Sequence, residues 1–268
     1  MVGGYRASTC VRGEFTPKLG FCHTGMTIQT RPKSLYKNQI SHNKDPAEAL
    51  VDSAKNGDIR ALQYLLTMGT NVNSRNSEGM TALAWAAVIG NGAAISTLIE
   101  HGGSIDLPDI VNGFTPLHYA VRNGRYITVR QLIKYGANVN LKTKTGSTPL
   151  ILAVQFDNLP IVQFLIENGA DVNRKDSTMS SPLIWGSKIG DDAVVDFLLH
   201  KGAEIDSADM TGMTPLMFAS RSGFEKVVRV LTTHGANVTL KNKRGMTAID
   251  FAKIAGKNEL ATFLISKL

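Results

Sequence analysis

His118 is the residue of this chain whose side chain most readily suggests chemistry, because an imidazole can act as a general acid or base near neutral pH. It ends the phrase Thr115-Pro116-Leu117-His118, and similar phrases occur five more times along the chain. The residues at its position in those phrases are chemically mixed: Ala84, Ile151, Ile184, Met217 and Asp250. Since catalytic chemistry does not recur with the phrase, we interpret His118 as a structural residue and predict no catalytic residues.

Other kinds of reactive site are not indicated either. The two cysteines, Cys10 and Cys22, lie outside the repeated phrases, and neither a second Cys pair nor a suitably spaced His pair suggests a zinc site. No Ser-His-Asp arrangement, glycine-rich phosphate loop or carboxylate pair stands out. We therefore expect no metal, no cofactor and no small-molecule substrate, and an enzyme is the least favoured class. Two cysteines without a disulfide framework indicate an intracellular, reducing compartment.

The repeated phrase itself fixes the elements that must position any functional residue. Its copies begin with a hydroxyl residue about every 33 positions, at Thr81, Thr115, Thr148, Ser181, Thr214 and Thr247. A second phrase of the type Gly-Ala-Asn-Val-Asn runs in phase with it and begins at Gly69, Gly102, Gly136, Gly169, Gly202 and Gly235. Two phrases that keep one register over most of a chain indicate a stacked solenoid.

Each phrase has a physical role in a pair of short helices. The hydroxyl predicts an N-cap, and the Pro that follows it suits the first helical position. The Leu of the phrase and a small residue three places later, such as Leu117 and Ala120, are expected to face a neighbouring helix. The Gly of the second phrase predicts the left-handed residue that ends the second helix.

These motifs resemble the ankyrin repeat over roughly residues 47 to 268. The resemblance implies an all-α repeat solenoid, a stack of helix-turn-helix units with projecting β-turn or hairpin loops, and a structural hydrogen-bonding role for His118 near its turn. We expect a basic, flexible N-terminal extension at residues 1–45 and a repeat domain at 46–268. The approximate repeats are 46–75, 76–108, 109–142, 143–175, 176–208, 209–241 and 242–268.

The resemblance also implies a non-enzymatic adaptor or scaffold that binds proteins through the concave face of the stack. Its candidate residues are those at turn tips and first-helix ends: Met80, Val88, Ile89, Phe114, Arg122, Asn123, Phe156, Lys188, Met213 and Arg221. Apolar and basic residues together suit a partner segment with apolar anchors and acidic flanks. For the methionines, packing against adjacent turns remains an equal alternative. Charge reversal at all three basic residues is expected to weaken binding with little loss of stability.

Charge distribution leaves a second function open. The formal net charge is +7, and residues 1–45 hold seven basic and two acidic residues, a net +5. This tail could assist binding to nucleic acid or an anionic surface, although the repeats themselves give little support for nucleic-acid binding. A cytoplasmic location is expected, with the nucleus, or an organelle if the tail is a transit peptide, as alternatives. The uncharged stretch 81–99 predicts a buried helix pair and not a membrane span, since Gly90-Asn91-Gly92 interrupts it.

Two further sets of residues recur with the period. Asn73, Asn140 and Asn173 each close a Val-Asn pair eight residues after a Leu, which resembles the sites of the asparaginyl hydroxylase that modifies ankyrin domains. Local turn chemistry is the alternative. An aromatic series occupies the second position after the Leu of the phrase, and we interpret it as inter-repeat packing in preference to a ligand-binding ladder: Trp85, Tyr119, Trp185, Phe218 and Phe251.

Overall fold

The structure, a computed structural model, describes residues 45–268 and contains fourteen α-helices in that range. They are α1 Pro46–Asn56, α2 Ile59–Thr67, α3 Ala82–Ile89, α4 Gly92–Glu100, α5 Pro116–Arg122, α6 Tyr126–Lys134, α7 Pro149–Gln155, α8 Leu159–Glu167, α9 Pro182–Ile189, α10 Asp192–His200, α11 Pro215–Ser222, α12 Glu225–Thr233, α13 Ala248–Ile254 and α14 Asn258–Ile265. Apart from Asp45, which caps α1, the predicted N-terminal extension lies outside the described residues.

The helices form seven antiparallel pairs that stack in sequence order. Each first helix contacts its own second helix and the first helices of neighbouring pairs, and the second helices form a parallel layer behind them. The predicted all-α repeat solenoid is confirmed. Across residues 45–268 the projecting loops contain turns and one isolated antiparallel bridge, between Arg75 and Thr81, but no regular strand.

The repeated phrases act where their chemistry predicts. In all six copies the hydroxyl oxygen of Thr or Ser accepts a hydrogen bond from the backbone N–H three residues later, at 3.1 to 3.4 Å. Such a cap stabilises a helix by about 1 kcal/mol. The Gly of the second phrase has a positive φ in all six copies, between 85° and 91°, which ends each second helix.

The core runs the length of the stack between the two helix layers. Leu117 and Ala120 are fully buried, and so are the matching residues of the other copies of the phrase, except Ile249, which is partly buried. Gly186 replaces the alanine in the fifth repeat, where an added Cβ would lie 3.2 Å from a methyl carbon of Val195. The small residue therefore lets the two helices of a pair approach closely.

The uncharged stretch at 81–99 forms α3, α4 and the turn between them. Gly90 ends α3 with a φ of +87°, and the Asn91 side chain caps α4. Of the helices described, none is both long and apolar enough to cross a membrane.

Candidate functional site

Each projecting loop is folded around one polar residue that sequence analysis did not single out. Asp176 shows the pattern most fully: its Oδ1 accepts from the backbone N–H groups of Thr178 and Ser180, and its Oδ2 accepts from the indole N–H of Trp185 at 2.9 Å. The equivalent residues are Asn76, Asp109, Thr143, Asp209 and Asn242. Their recurrence with the 33-residue period was the signal that could have found them.

Asp109 shows how strongly this arrangement holds a charge. Burial by itself raises the pKa of this carboxyl, but the N–H groups of Asn112 and Phe114 and the Tyr119 hydroxyl donate to it and hold its pKa below the usual value. The loop carboxylate is thus an anchor for its own turn. Because its oxygens are engaged internally, we do not count it among the groups offered to a partner.

Successive loops are also joined to one another by backbone hydrogen bonds. The N–H of Lys144 donates to the carbonyl of Asn112 at 2.9 Å. The same bond recurs 33 residues later in three further places, from Ser177 to Thr145, from Met210 to Thr178 and from Lys243 to Thr211. We call these four bonds the loop ladder. It fixes the spacing of the loop tips before any partner arrives.

Two of the predicted contact residues do not reach the surface. Met80 and Met213 are only 8% and 6% exposed. Both side chains belong to the hydrophobic core, so they pack inside the stack, which the alternative interpretation of packing had left open. Placing them at exposed turn tips was wrong.

The other predicted residues lie at least partly on one side of the stack, at the loop tips and the ends of the first helices, which we call the loop-side surface. Ile89 and Phe156 are 40% and 51% exposed, and Val88 is half-buried. Arg122 and Arg221 are exposed. Asn123 is exposed too, but its amide donates to the Tyr119 carbonyl at 2.8 Å, so it helps to end α5.

The basic residues of this surface are held over aromatic rings. The Arg122 guanidinium lies 5.7 Å from the ring centre of half-buried Phe114, and that of Arg221 lies 5.2 Å from Phe218. The Lys188 ammonium lies between two rings, 4.5 Å from Trp185 and 4.4 Å from Phe218. The members of the aromatic series belong to the core or pack against it, and two of them, Trp185 and Phe218, orient the Lys188 ammonium from neighbouring repeats.

Lys188 differs from the two arginines in its surroundings. Burial lowers the pKa of its ammonium, against the opposing effect of Asp209 and Asp176, and the group donates to the Ser180 hydroxyl at 3.0 Å. A carboxylate at this position would face both aspartates. Charge reversal here would therefore destabilise the fold, which argues against including Lys188 in the expected triple reversal.

A groove brings three of the predicted residues together. Phe114, Arg122 and Phe156 line a cleft of about 490 Å³, which extends past Leu152 to the indole of Trp185. Arg221 instead lines a second cleft of about 380 Å³ together with the basic residues Lys243 and Arg244 and with Met210. A binding partner would meet apolar surface with the Arg122 cation in the first cleft, whose Asp176 carboxylate is engaged by its own loop, and three basic residues in the second.

His118 lines neither cleft. It is fully buried, its Nδ1 lies 2.8 Å from the Thr115 hydroxyl, and its Nε2 lies 3.3 Å from the carbonyl oxygen of Ser147 in the next repeat. Burial lowers its pKa to about 4, so the ring is neutral at pH 7. These contacts link one turn to the next, which is the structural role that sequence analysis expected.

The three asparagines of the second phrase link repeats directly. The Asn140 amide donates to the Gly169 carbonyl, and its Oδ1 accepts from the Asp171 N–H, both at 2.9 Å. Asn73 and Asn173 make the matching pairs of bonds to their next repeats. These bonds between repeats, and not local turn chemistry alone, account for their recurrence, and their hydroxylation stays a prediction.

Comparison with known proteins identifies the repeat. A family model described as "Ankyrin repeats (3 copies)" matches residues 50–143, 104–176, 127–209 and 183–268. The ankyrin repeat domain of Bcl-3, described as a unique member of the IkappaB protein family, superposes with a TM-score of 0.75 at 25% identity, covering 83% of this chain and all of that one. The human ASB11 ankyrin repeat domain gives a TM-score of 0.71 at 28% identity, covering 82% of this chain and 97% of that one.

Curated relatives match over shorter stretches. The mouse B-cell lymphoma 3 protein homolog is 38% identical over 100 residues, which is 37% of this chain and 20% of the relative. The palmitoyltransferase AKR1 of Saccharomyces cerevisiae is 37% identical over 76 residues, which is 28% of this chain and 10% of the relative. The chain therefore spans a fifth or less of the length of these relatives.

Proposed function

Because this chain belongs to the ankyrin-repeat family, whose members are generally protein–protein interaction modules, we propose that it binds partner proteins through its loop-side surface, the concave face of the stack. It acts as a non-enzymatic adaptor or scaffold. The observation that carries this proposal is the groove where Phe114, Arg122 and Phe156 meet. Its location is intracellular.

The chemistry of the groove defines the segment that suits it. Phe156 is half exposed and Phe114 half-buried, so an apolar side chain of a partner would remove aromatic surface from water. Arg122 stands over Phe114, where its guanidinium can pair with a carboxylate beside that anchor. The proposed ligand is therefore a peptide segment with an apolar anchor flanked by Asp or Glu.

Rigid presentation supports useful affinity from a modest contact area. The loop ladder joins four successive pairs of loops by backbone bonds of 2.9 to 3.1 Å. A surface that is already ordered loses little conformational entropy on binding, so more of the contact energy appears as affinity.

The test is selection of peptides from a random display library on the full chain. Selected sequences are expected to place acidic residues next to an apolar residue, and the best peptide should bind R122E at least tenfold more weakly. The matched control is K226E, a charge reversal at an exposed site on α12 in the second helix layer. Peptides without acidic enrichment, or equal loss with K226E, would contradict the proposal.

Positive charge in the second cleft favours one alternative, binding of nucleic acid or another anionic surface. Arg221, Lys243 and Arg244 line that cleft, and the basic N-terminal tail would add to it. Fluorescence anisotropy with random-sequence single-stranded DNA, over a salt titration, separates the two functions. Tight binding that residues 46–268 retain at physiological salt would favour the alternative over the peptide proposal.

A further inference from the structure

Two histidines and an aspartate meet on the second helix layer, away from the loop-side surface. Asp196 and His200 lie one turn apart on α10, and His234 directly follows α12 in the next repeat. One donor atom from each residue lies within 4.8 Å of the other two. The His234 Nε2 is 3.6 Å from the Asp196 Oδ1, and the two imidazole rings meet edge to face at 5.0 Å between centres.

Both rings are oriented by the backbone of their own helices. The Nδ1 of His200 lies 2.9 Å from the carbonyl oxygen of Asp196, and that of His234 lies 3.0 Å from the carbonyl oxygen of Val230. A ring nitrogen that faces a carbonyl must carry the proton, so each neutral imidazole keeps its lone pair on Nε2. Metal-binding histidines are commonly fixed in this way, with one nitrogen on a backbone carbonyl and the other on the metal.

We propose that Asp196, His200 and His234 bind a divalent transition-metal ion, with Zn²⁺ the best chemical match, and that the ion cross-links the fifth and sixth helix pairs. Two imidazoles and one carboxylate suit Zn²⁺ far better than Mg²⁺ or Ca²⁺, which prefer sets of oxygen ligands. Water would complete the tetrahedron, because a zinc site with three protein ligands keeps an open position.

Closing on the ion requires the Nε2 of His200 to turn toward the site, because the Nδ1 of this ring lies 3.4 Å from the Asp196 Oδ2 and also faces the Asp196 carbonyl. Ligands about 2.1 Å from a tetrahedral Zn²⁺ lie roughly 3.4 Å from each other. The side chains of Asp196, His200 and His234 are 46%, 64% and 26% exposed, so solvent leaves them free to rotate inward. An ion held from two repeats stabilises the junction, since it binds the folded stack and not the separated helices.

Calorimetric titration of the tag-free full chain with ZnCl₂, in a buffer containing excess Mg²⁺, tests the proposal. We expect one saturable site that H200A and H234A each weaken at least tenfold and D196N weakens less. H101A is the control, because the Nδ1 of His101 also faces a carbonyl, that of Thr97 at 2.8 Å, yet within residues 45–268 it belongs to no such ligand group. Any binding by Cys10, Cys22 or the N-terminal histidines is common to all variants and cancels in the comparison.

Two further measurements distinguish loss of the metal site from loss of folding in a variant that binds zinc weakly. Co²⁺ in place of Zn²⁺ should give visible d–d absorption bands in the wild type that are missing in H234A. Zn²⁺ should raise the thermal midpoint of the wild type by a few degrees and that of H234A by less, while the two melt alike without metal. Equal zinc affinity in wild type, H200A and H234A, or a loss in H101A of the same size, would overturn the proposal.

Discussion

Replacement of Asn140 by alanine tests whether the asparagine bridge holds neighbouring repeats together. In the native chain this side chain makes two hydrogen bonds to the backbone of the next repeat, to Gly169 and Asp171. N140A deletes both and touches no core residue. We expect it to weaken the interface between the third and fourth repeats without altering either helix pair.

The size of the effect follows from the two bonds. Each net hydrogen bond contributes about 0.5 to 1.5 kcal/mol, and the bridge lies near the surface, where water can replace a lost partner. We therefore expect N140A to lower the free energy of unfolding by about 1 to 2 kcal/mol. N140D keeps the acceptor and loses the donor, and should cost about half as much. A natural precedent is Asp106, whose carboxylate accepts from the Asn138 N–H at 3.1 Å.

Urea unfolding followed by circular dichroism at 222 nm gives the midpoint and slope for each variant, and hydrogen exchange of the Asp171 amide reports the local bond. The matched control is N168A, because the Asn168 amide donates to Phe164 within its own repeat. A loss below about 0.3 kcal/mol for N140A, which is within the usual scatter of surface substitutions, would refute the reasoning. So would equal losses in N140A and N168A, or slower Asp171 exchange.

Three other perturbations probe the stack. Burial, and a hydrogen bond that the protonated Asp191 carboxyl donates to Asp157, raise the pKa of Asp191. Its protonated form therefore favours folding at low pH, and its charge opposes folding above its folded pKa. D191N, which keeps the N-cap, should raise the free energy of unfolding from urea titration by a few tenths of a kcal/mol at pH 7, with no gain near pH 3. The His118 pKa is lowered to about 4. Its contribution to the free energy of unfolding is therefore complete above its unfolded pKa and falls by about 3 kcal/mol as pH drops from 6.5 to 4. H118I should flatten the dependence of unfolding free energy on pH in this range, and an unchanged dependence would contradict the argument. An added Cβ at Gly146 would lie 2.5 Å from the backbone of the next loop, whereas one at Gly136 would meet nothing within 4 Å; thermal melts should show G146A less stable than G136A, since both have a positive φ.

The fold could be predicted from the sequence because its determinants are local. Thr115 caps the helix that begins one residue later, and Gly136 ends a helix by its own conformation. Such features can be identified from a residue type at a fixed position in each repeat. Because the positions recur every 33 residues, the sequence also predicts that the helix pairs stack one after another. The family and the all-helical solenoid followed from these alone.

The candidate site was harder to predict because it depends on side-chain orientations, which the position of a residue within the repeat does not determine. Met213 and Arg221 belong to the same repeat, yet the side chain of Met213 is buried and that of Arg221 is exposed. From the sequence Lys188 is expected to be a surface cation, whereas in the structure its ammonium lies between the rings of Trp185 and Phe218. His200 and His234 are 34 residues apart and on different helices, so no motif of fixed short spacing contains them.

The loop ladder has a mechanical consequence. Its rungs run from the loop at 109–114 to the loop at 242–246, and in the described chain no matching backbone bond joins the loops at 76–80 and 109–114. The loop at 109–114 is also the one with an extra residue, which makes that step 34 and not 33. The five loops from 109–114 to 242–246 are therefore tied to one another by backbone bonds, whereas the step from 76–80 to 109–114 depends on helix packing, of α3 on α5. A long ligand bound along the loops from 109–114 to 242–246 would meet tips whose spacing is set by backbone bonds. One that also contacts the loop at 76–80 would cross a step without such a bond.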